Sequence, residues 1–218
     1  MAINIAIDGP SAAGKSSVAN YLAQKLNYIH LDTGSMYRAV AYLAQKYGLR
    51  LDDEEAICEL LKVKPMEVLV DGTILLDGQE LKSELYGNEI SMAASDVSKN
   101  PGVREELVRL QQRLAANKGY ILDGRDIGSV VLPDAEVKIY LTASAEARAQ
   151  RRYDQNLEKG ISGSYEEILE EIKKRDYQDT HRANSPLIQT EDAILVDSSD
   201  LSLEEVVKHI EEIVKEKI

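Results

Sequence analysis

The chain alternates short, mainly apolar runs with longer stretches in which apolar residues recur every three or four positions. The runs are Ile3 to Ile7, Tyr28 to Leu31, Tyr120 to Leu122, Val137 to Leu141 and Ala193 to Val196. Short runs of predominantly apolar character, separated by helical patterns, predict strands buried on both faces. Between them, Val18, Tyr21, Leu22 and Leu26 give a helical stripe, Ser35 to Tyr47 reads as a second helix, and Val103, Leu107, Leu110 and Leu114 mark a third. Asn100 and Pro101 open that third helix, since Asn suits the cap and Pro the first helical position. Val206, Val207, Ile210 and Ile213 put a last packing helix within Leu203 to Ile218. The alternation predicts an α/β fold, a five-stranded parallel sheet flanked by helices. Right-handed crossovers would gather the strand C-terminal ends on one edge, where ligands bind in such sheets.

One region breaks the alternation. From Lys64 to Leu81 the β-type runs are separated by Asp71-Gly72 and Asp77-Gly78, pairs that favour tight hairpin turns. A small antiparallel insert of two or three strands is expected within residues 62–90, either as elaboration of the fold or as a flap over a substrate.

A length of 218 residues suits one domain, 1–218, with a sizeable core. No apolar stretch approaches the roughly 20 residues of a membrane span, and no basic segment precedes an apolar run at the N-terminus. The expectation is a soluble, cytoplasmic protein without a membrane partner. Cys58 is the only cysteine, so no internal disulfide forms, and its apolar neighbours assign it to packing. With 26 Lys and Arg against 38 Asp and Glu, the net charge of −12 disfavours nucleic-acid partners. Cations that receive a phosphorylated ligand must then be placed locally, which turns attention to the arginines.

Candidate chemistry begins where the first strand ends. Gly9-Pro10-Ser11-Ala12-Ala13-Gly14-Lys15-Ser16 satisfies every fixed position of the phosphate-binding loop G-x-x-x-x-G-K-S/T, between a strand and a helix as that motif requires. Its glycines let successive N–H groups face one anion, and the helix adds the positive end of its dipole. Lys15 is placed to reach the β and γ phosphates, and the Ser16 hydroxyl to ligate Mg2+. The motif predicts that a nucleoside triphosphate binds here.

Three further groups share that setting. Asp123-Gly124-Arg125-Asp126 comes after a strand, so it delivers two carboxylates and a guanidinium to the sheet edge of the phosphate loop; the alternative is a turn with a surface ion pair. Arg104 borders an apolar helix stripe, from which it either snorkels to solvent or reaches a ligand. Ile168, Ile172, Arg175, Asp179 and Arg182 recur at steps of four, three, four and three. They share one helical face if the helix continues, so an inward stripe passes into charge; an exposed Arg-Asp-Arg ladder is the alternative. With Arg148, Arg151 and Arg152 they outline an arginine-bearing lid over residues 148–182, with Gly160 and Gly163 easing a connection around Tyr153 to Ser164.

These motifs together closely resemble the bacterial-type cytidylate kinases, among the phosphate-loop nucleoside monophosphate kinases. The likeness runs nearly end to end: the phosphate loop, Asp32-Thr-Gly-Ser-Met-Tyr-Arg38, Ser95 with Arg104, Gly124-Arg-Asp-Ile-Gly128, Arg175 to Arg182, Ser185-Pro-Leu187 and the insert at Lys64 to Leu81. The resemblance implies transfer of the γ-phosphoryl group of ATP to CMP or dCMP with Mg2+ as cofactor, by a chain expected to be a monomer. It implies Lys15, Arg125, Arg152 and Arg182 as the catalytic cations, and residues Gly9 to Ser17 (Ser17 included) with Arg148 and Arg151 at ATP. Arg38, Arg125 and Arg182 would hold the acceptor phosphate, with Thr33 at the substrate side. Ser95, Arg104 and Asp126 would read cytosine, and Arg175 and Asp179 would lie at the ribose. Ala12 and Ser17 stand where the family often has glycine and threonine.

A phosphate monoester is mostly dianionic at neutral pH and attacks without a strong general base, so no histidine is required, and His30, His181 and His209 are scattered. Related kinases for UMP, AMP or a nonnucleotide acceptor would share the loop but not the cytosine set. A guanine-reading nucleotide switch would carry Asn-Lys-x-Asp, whereas Asn117-Lys118-Gly119-Tyr120 lacks the aspartate.

Overall fold

The computed structural model describes residues 2–69, 71–158 and 160–217. In chain order the elements are β1 (Ile5–Asp8), α1 (Lys15–Leu26), β2 (Ile29–Asp32), α2 (Thr33–Lys46), α3 (Glu54–Val63), β3 (Met66–Val68), β4 (Ile74–Leu76), β5 (Gln79–Glu80), α4 (Asn88–Val97) and α5 (Pro101–Ala115). Then come β6 (Tyr120–Gly124), a one-turn π-type segment at Ile127–Val131, β7 (Val137–Thr142), α6 (Ala145–Glu158), α7 (Tyr165–His181), β8 (Ile194–Asp197) and α8 (Leu203–Lys215).

Across the described residues, a five-stranded sheet runs β2-β6-β1-β7-β8, every neighbouring pair parallel. Alternation along each strand splits the core in two. Ala6, Leu31 and Leu122 face a core shared with Met36, Val40, Val103 and Leu107 from α2 and α5. Ile5, Ile7, Ile121 and Ile139 face the opposite core, closed by Val18 and Leu22 of α1 and Val206 and Ile210 of α8. Ile213, expected in the α8 stripe, only flanks this core, and Val214 is buried instead. The register sets Asp8 opposite Gly124 and Asp32 opposite Asp123. β1, β2 and β6 therefore end level, and the loops that leave them emerge at one place.

Two strands differ from the hydrophobic runs. β1 begins at Ile5: the Asn4 amide donates to Glu136 Oε2 at 2.9 Å, while its side chain donates from Nδ2 to the Ala115 carbonyl at 2.9 Å and accepts from the Tyr120 amide at 3.2 Å. β8 lies at the sheet edge with only Val196 buried, and Leu195 is 52% exposed, so its apolar run does not mark burial on both faces.

The break in the alternation is a three-stranded antiparallel sheet, β3-β4-β5. Asp77 and Gly78 both take positive φ, 51° and 73°, as a tight hairpin between two strands demands. Ile74, Leu76 and Leu81 pack into the α2 side of the core. At the other turn, a Cβ on Gly72 would stand 2.5 Å from the His30 carbonyl oxygen. The hairpin tip thus rests on β2, a contact only glycine permits. No helix among the described residues is long and apolar enough to cross a membrane.

Asn100 does not cap α5 with its side chain; its Nδ2 donates to the Leu51 carbonyl at 2.8 Å. On that helix Arg104 does not snorkel, being 4% exposed.

Candidate active site

The phosphate loop leaves β1 at Gly9, whose φ of 150° accompanies a close crossing of backbone: a Cβ there would meet the Leu141 carbonyl oxygen at 1.9 Å. Ala12 takes the left-handed φ of 60°, a conformation that costs an L-residue roughly 1–2 kcal/mol. Lys15 begins α1, is buried, and donates from Nζ to the Pro10 carbonyl at 2.8 Å. Burial, with the Arg125 charge, brings its amine down to about 7 against an opposing pull from Asp123. Burial disfavours the charge of such an amine, and an anion entering the loop would restore it.

Ser16 and β6 meet here. The Ser16 Oγ donates to Asp123 Oδ2 at 2.9 Å, and the Thr33 hydroxyl donates to the Asp123 carbonyl at 2.8 Å. The described residues hold no cluster of three His, Cys, Asp or Glu side chains for a metal. One hydroxyl and one carboxylate fit Mg2+, a hard cation that completes its shell with water and substrate phosphate.

Opposite the loop, across a cleft of about 1030 Å³, stand the arginines. Arg38 donates to Asp32 Oδ2 at 2.8 Å and also contacts the Ser35 hydroxyl. Arg104 pairs with Asp126, donates to the Ser98 carbonyl at 3.2 Å, and lies over the Tyr37 ring at 5.3 Å. Arg125 pairs with Asp179, and Arg182 donates to the Ser185 carbonyl at 2.7 Å. Burial, with Arg125 nearby, lowers Arg175 to about 10. The Nε atoms of Arg38, Arg104 and Arg175 and one Nη of Arg182 are buried without a hydrogen-bond partner. Charged donors without hydrogen bonds are costly, and here they belong to four arginines that line one cleft, although Arg182 keeps an ion pair with Asp126 at 3.8 Å. In a chain of net charge −12, the cations are concentrated where the carboxylates are already paired.

Sequence comparison adds a family to this geometry. The family model for cytidylate kinase matches residues 5–216. The chain belongs to the cytidylate kinase family. A relative named cytidylate kinase in Bacillus velezensis is 49% identical over 218 residues, covering 99% of this chain and 97% of that one. Another, from Caldicellulosiruptor bescii, is 50% identical over 214 residues, with 97% and 95% covered. Among solved structures, an uncharacterized protein from Eubacterium ventriosum superposes with a TM-score of 0.54 at 12% identity, covering 98% of each chain. Shikimate kinase from Bacteroides thetaiotaomicron gives 0.51 at 12%, covering 99% of each. At such identity the two structures speak for the phosphate-loop kinase fold alone.

The remaining residues expected of a cytidylate kinase divide in two. Thr33, Ser95, Asp126, Arg152 and Asp179 line the cleft, Ser95 with its hydroxyl 3.4 Å from Gln178 Oε1. A second pocket of about 350 Å³ lies behind the loop between Ala13, Gly14, Ser17 and the segment Ser198 to Leu203, with Arg151 and Arg152 on its wall. Arg152 borders both pockets, and burial beside Arg38 lowers its pKa. Arg151 is engaged with the Ser198 hydroxyl at 3.1 Å and with carbonyls at Ser198 and Leu201. Arg148, expected at ATP, is buried behind the loop and lines neither pocket. It donates to the Ala143 and Ser11 carbonyls at 2.9 and 3.1 Å and clamps both oxygens of Asp176 at 3.0 and 2.6 Å. A guanidinium so committed supports the phosphate loop from beneath.

His30 is one of three histidines scattered along the sequence, yet in the fold its Nε2 lies 2.6 Å from Asp123 Oδ1. Burial opposes its protonation, but the Asp123 contact prevails and raises its pKa. The only signal in the sequence is a polar residue within a short strand, two places before a motif carboxylate. Its partner is not legible there, because that residue belongs to β6.

Proposed function

We propose that this chain transfers the γ-phosphoryl group of ATP to CMP or dCMP, giving ADP and CDP or dCDP. The observation that carries the reading is the pairing, across one cleft, of a complete phosphate loop with a set of buried arginine donors that lack acceptors, in a chain whose residues 5–216 match the cytidylate kinase family.

ATP would lie with its phosphates in the loop and its base in the pocket behind it, whose wall is formed by Arg151, Arg152 and the Ser198 to Leu203 segment. The acceptor would enter from the opposite side. Arg38, Arg125 and Arg182 would fix its phosphate, while Arg104 and Asp126 would meet the cytosine edge beside Ser95. Arg175 and Asp179 stand between and would serve the sugar. A dianionic acceptor phosphate needs little deprotonation, so these side chains act by alignment and charge stabilisation. Lys15, Arg125, Arg152 and Arg182 would surround the transferring group as its charge spreads over the equatorial oxygens. Ser16 and Asp123 would hold Mg2+, which supplies further neutralisation of the β and γ phosphates. Residues 148–182 would close as a lid, with residues 62–90 as a substrate-side insert, excluding water that would otherwise hydrolyse ATP.

Initial rates with ATP and Mg2+ over CMP, dCMP, UMP, AMP and no acceptor test the reading. CMP and dCMP are expected to be preferred by orders of magnitude over AMP; comparable rates with AMP, or ATP consumption unaffected by any nucleotide, would overturn it.

A further inference from the structure

One buried carboxylate near the phosphate loop, Asp8, lines neither pocket. Asp8 is the last residue of β1 and precedes the first glycine of the loop. Its side chain is buried and accepts two hydrogen bonds, from the Ile127 amide at 2.8 Å and the Gly128 amide at 2.7 Å. Those are the two amides directly after Asp126, at the start of the π-type turn. The same carboxylate thus abuts the donor loop through the chain and the acceptor loop through space. Gly128 leaves the room required: a Cβ there would lie 3.3 Å from Asp8 Oδ2 and 3.2 Å from Lys138 Cδ.

Resting on the cytidylate kinase reading, we propose that Asp8 is a positioning residue for the acceptor: its ionised carboxylate holds the amides of Ile127 and Gly128 and thereby sets where Arg125 and Asp126 stand relative to the phosphate loop. The register of β1 with β6 fixes the strands only as far as Gly124. Beyond that point the chain has left the sheet; Arg125 and Asp126 are held on the acceptor side by Asp179 and Arg104, and the two Asp8 bonds are what tie the loop to the end of β1. A carboxylate offers an acceptor to each amide, whereas a protonated acid or an amide side chain turns one N–H or O–H donor toward a donor.

The charged neighbours agree with an ionised group under strain. Burial, with Asp126 nearby, raises Asp8 to about 6, against the two amide bonds and Lys15 on α1. From β7, Tyr140 faces Asp8 across the strand pair, and Lys138 reaches past Gly128 to Asp192 at 2.6 Å. Acceptor affinity should therefore weaken as pH falls through about 6.

The test is calorimetric binding of CMP and, separately, of ATP to wild type and Asp8→Asn between pH 5 and 8, with melting followed on the same samples. The expected result is CMP affinity about tenfold weaker in Asp8→Asn at pH 8, ATP affinity changed by less than about threefold, and a wild-type to variant ratio that closes toward one at pH 5. Titration of the CMP phosphate cancels in that ratio. A ratio flat with pH, unchanged CMP affinity with a lowered Tm, or an equal loss for ATP would overturn the inference. Should Asp8→Asn fail to melt cooperatively, wild-type binding of cytidine, which has no phosphate, must still weaken from pH 7 to 5; constant affinity overturns the proposal. Wild type that binds ATP but no CMP overturns the acceptor reading itself, and the role of Asp8 with it.

Discussion

The Nε of Arg125 lies 2.6 Å from Oδ2 of Asp179, joining the loop after β6 to the last turn of α7. The partner of Asp179 is therefore a residue of another element, and the charged face of α7 is not an exposed ladder. Burial works to raise the Asp179 carboxyl, but Arg125 and Arg175 outweigh it and hold it below the usual carboxylate range. Burial likewise opposes the Arg125 charge, and Asp179 restores it. The pair spans the place where acceptor phosphate and sugar would lie, so substrate contact and helix docking share the same atoms.

Separable kinetic defects are expected along that face. Asp179→Ala should mainly weaken CMP binding. Arg182→Met should also reduce turnover by about tenfold or more, since phosphate alignment matters most in the transition state. Because Asp179→Ala leaves Arg125 buried without its partner, a loss of stability of roughly 3–5 kcal/mol, as for a broken buried pair, accompanies it and lowers the Tm. Steady-state constants and melts on the same preparations check this; unchanged kinetics in both variants would reject a substrate surface.

The same pair makes a pH prediction. Asp179 has a depressed pKa in the folded chain, so its stabilisation is present above the unfolded carboxylate value of about 3.9 and is lost as pH falls through the folded one. Urea unfolding should show wild type more stable than Asp179→Asn by a constant margin from pH 5 to 8. The margin should then shrink below about pH 4. A margin independent of pH down to 3 would contradict the ion pair.

Lys15→Met should leave a folded protein with phosphoryl transfer reduced at least about a hundredfold, since preorganised charge at the transferring group is a leading catalytic term. Without nucleotide its Tm should not fall. The amine is buried and its Pro10 bond is a single contact, and an apolar chain of similar length avoids desolvating a charge. Near-normal turnover would remove the loop from the mechanism.

Arg104→Met and Asp126→Asn should each harm CMP use far more than ATP binding, and should blur the choice between CMP and UMP. The two residues pair with each other in a buried setting, so either change leaves a polar group unmatched, and a base-reading site in that state discriminates poorly. Competition assays with both acceptors decide it. Wild-type discrimination in both variants would place cytosine reading elsewhere.

Ala12→Gly should stabilise the chain by about 0.5–1 kcal/mol. The left-handed φ of 60° costs alanine roughly 1–2 kcal/mol, against about 0.5–1 kcal/mol of extra chain entropy lost by glycine on folding. Chemical denaturation measures the difference, and a destabilised variant would show that the alanine methyl contributes more by packing than the backbone loses.

The periodicity of the sequence determined a great deal. Mainly apolar runs and the strand-to-helix setting of Gly9 to Ser16 follow from local chemistry: burial on two faces favours apolar residues in a strand, and an anion-binding turn requires glycine and a following helix. The α7 face was legible because 3.6-residue spacing converts sequence steps directly into direction. Tertiary structure alone decided the partners. The pairing of Asp179 with Arg125, of Arg104 with Asp126 and of Ser16 with Asp123 depends on strand order and on level strand ends, which no local pattern encodes. Arg148 shows the limit most clearly. Its position beside Arg151 and Arg152 marks it as a cation of the same helix face, yet standing one turn earlier along the axis places it under the phosphate loop, against two carbonyls and Asp176. The charge was written in the sequence, and its partners became available only when β1, β7 and α7 closed around it.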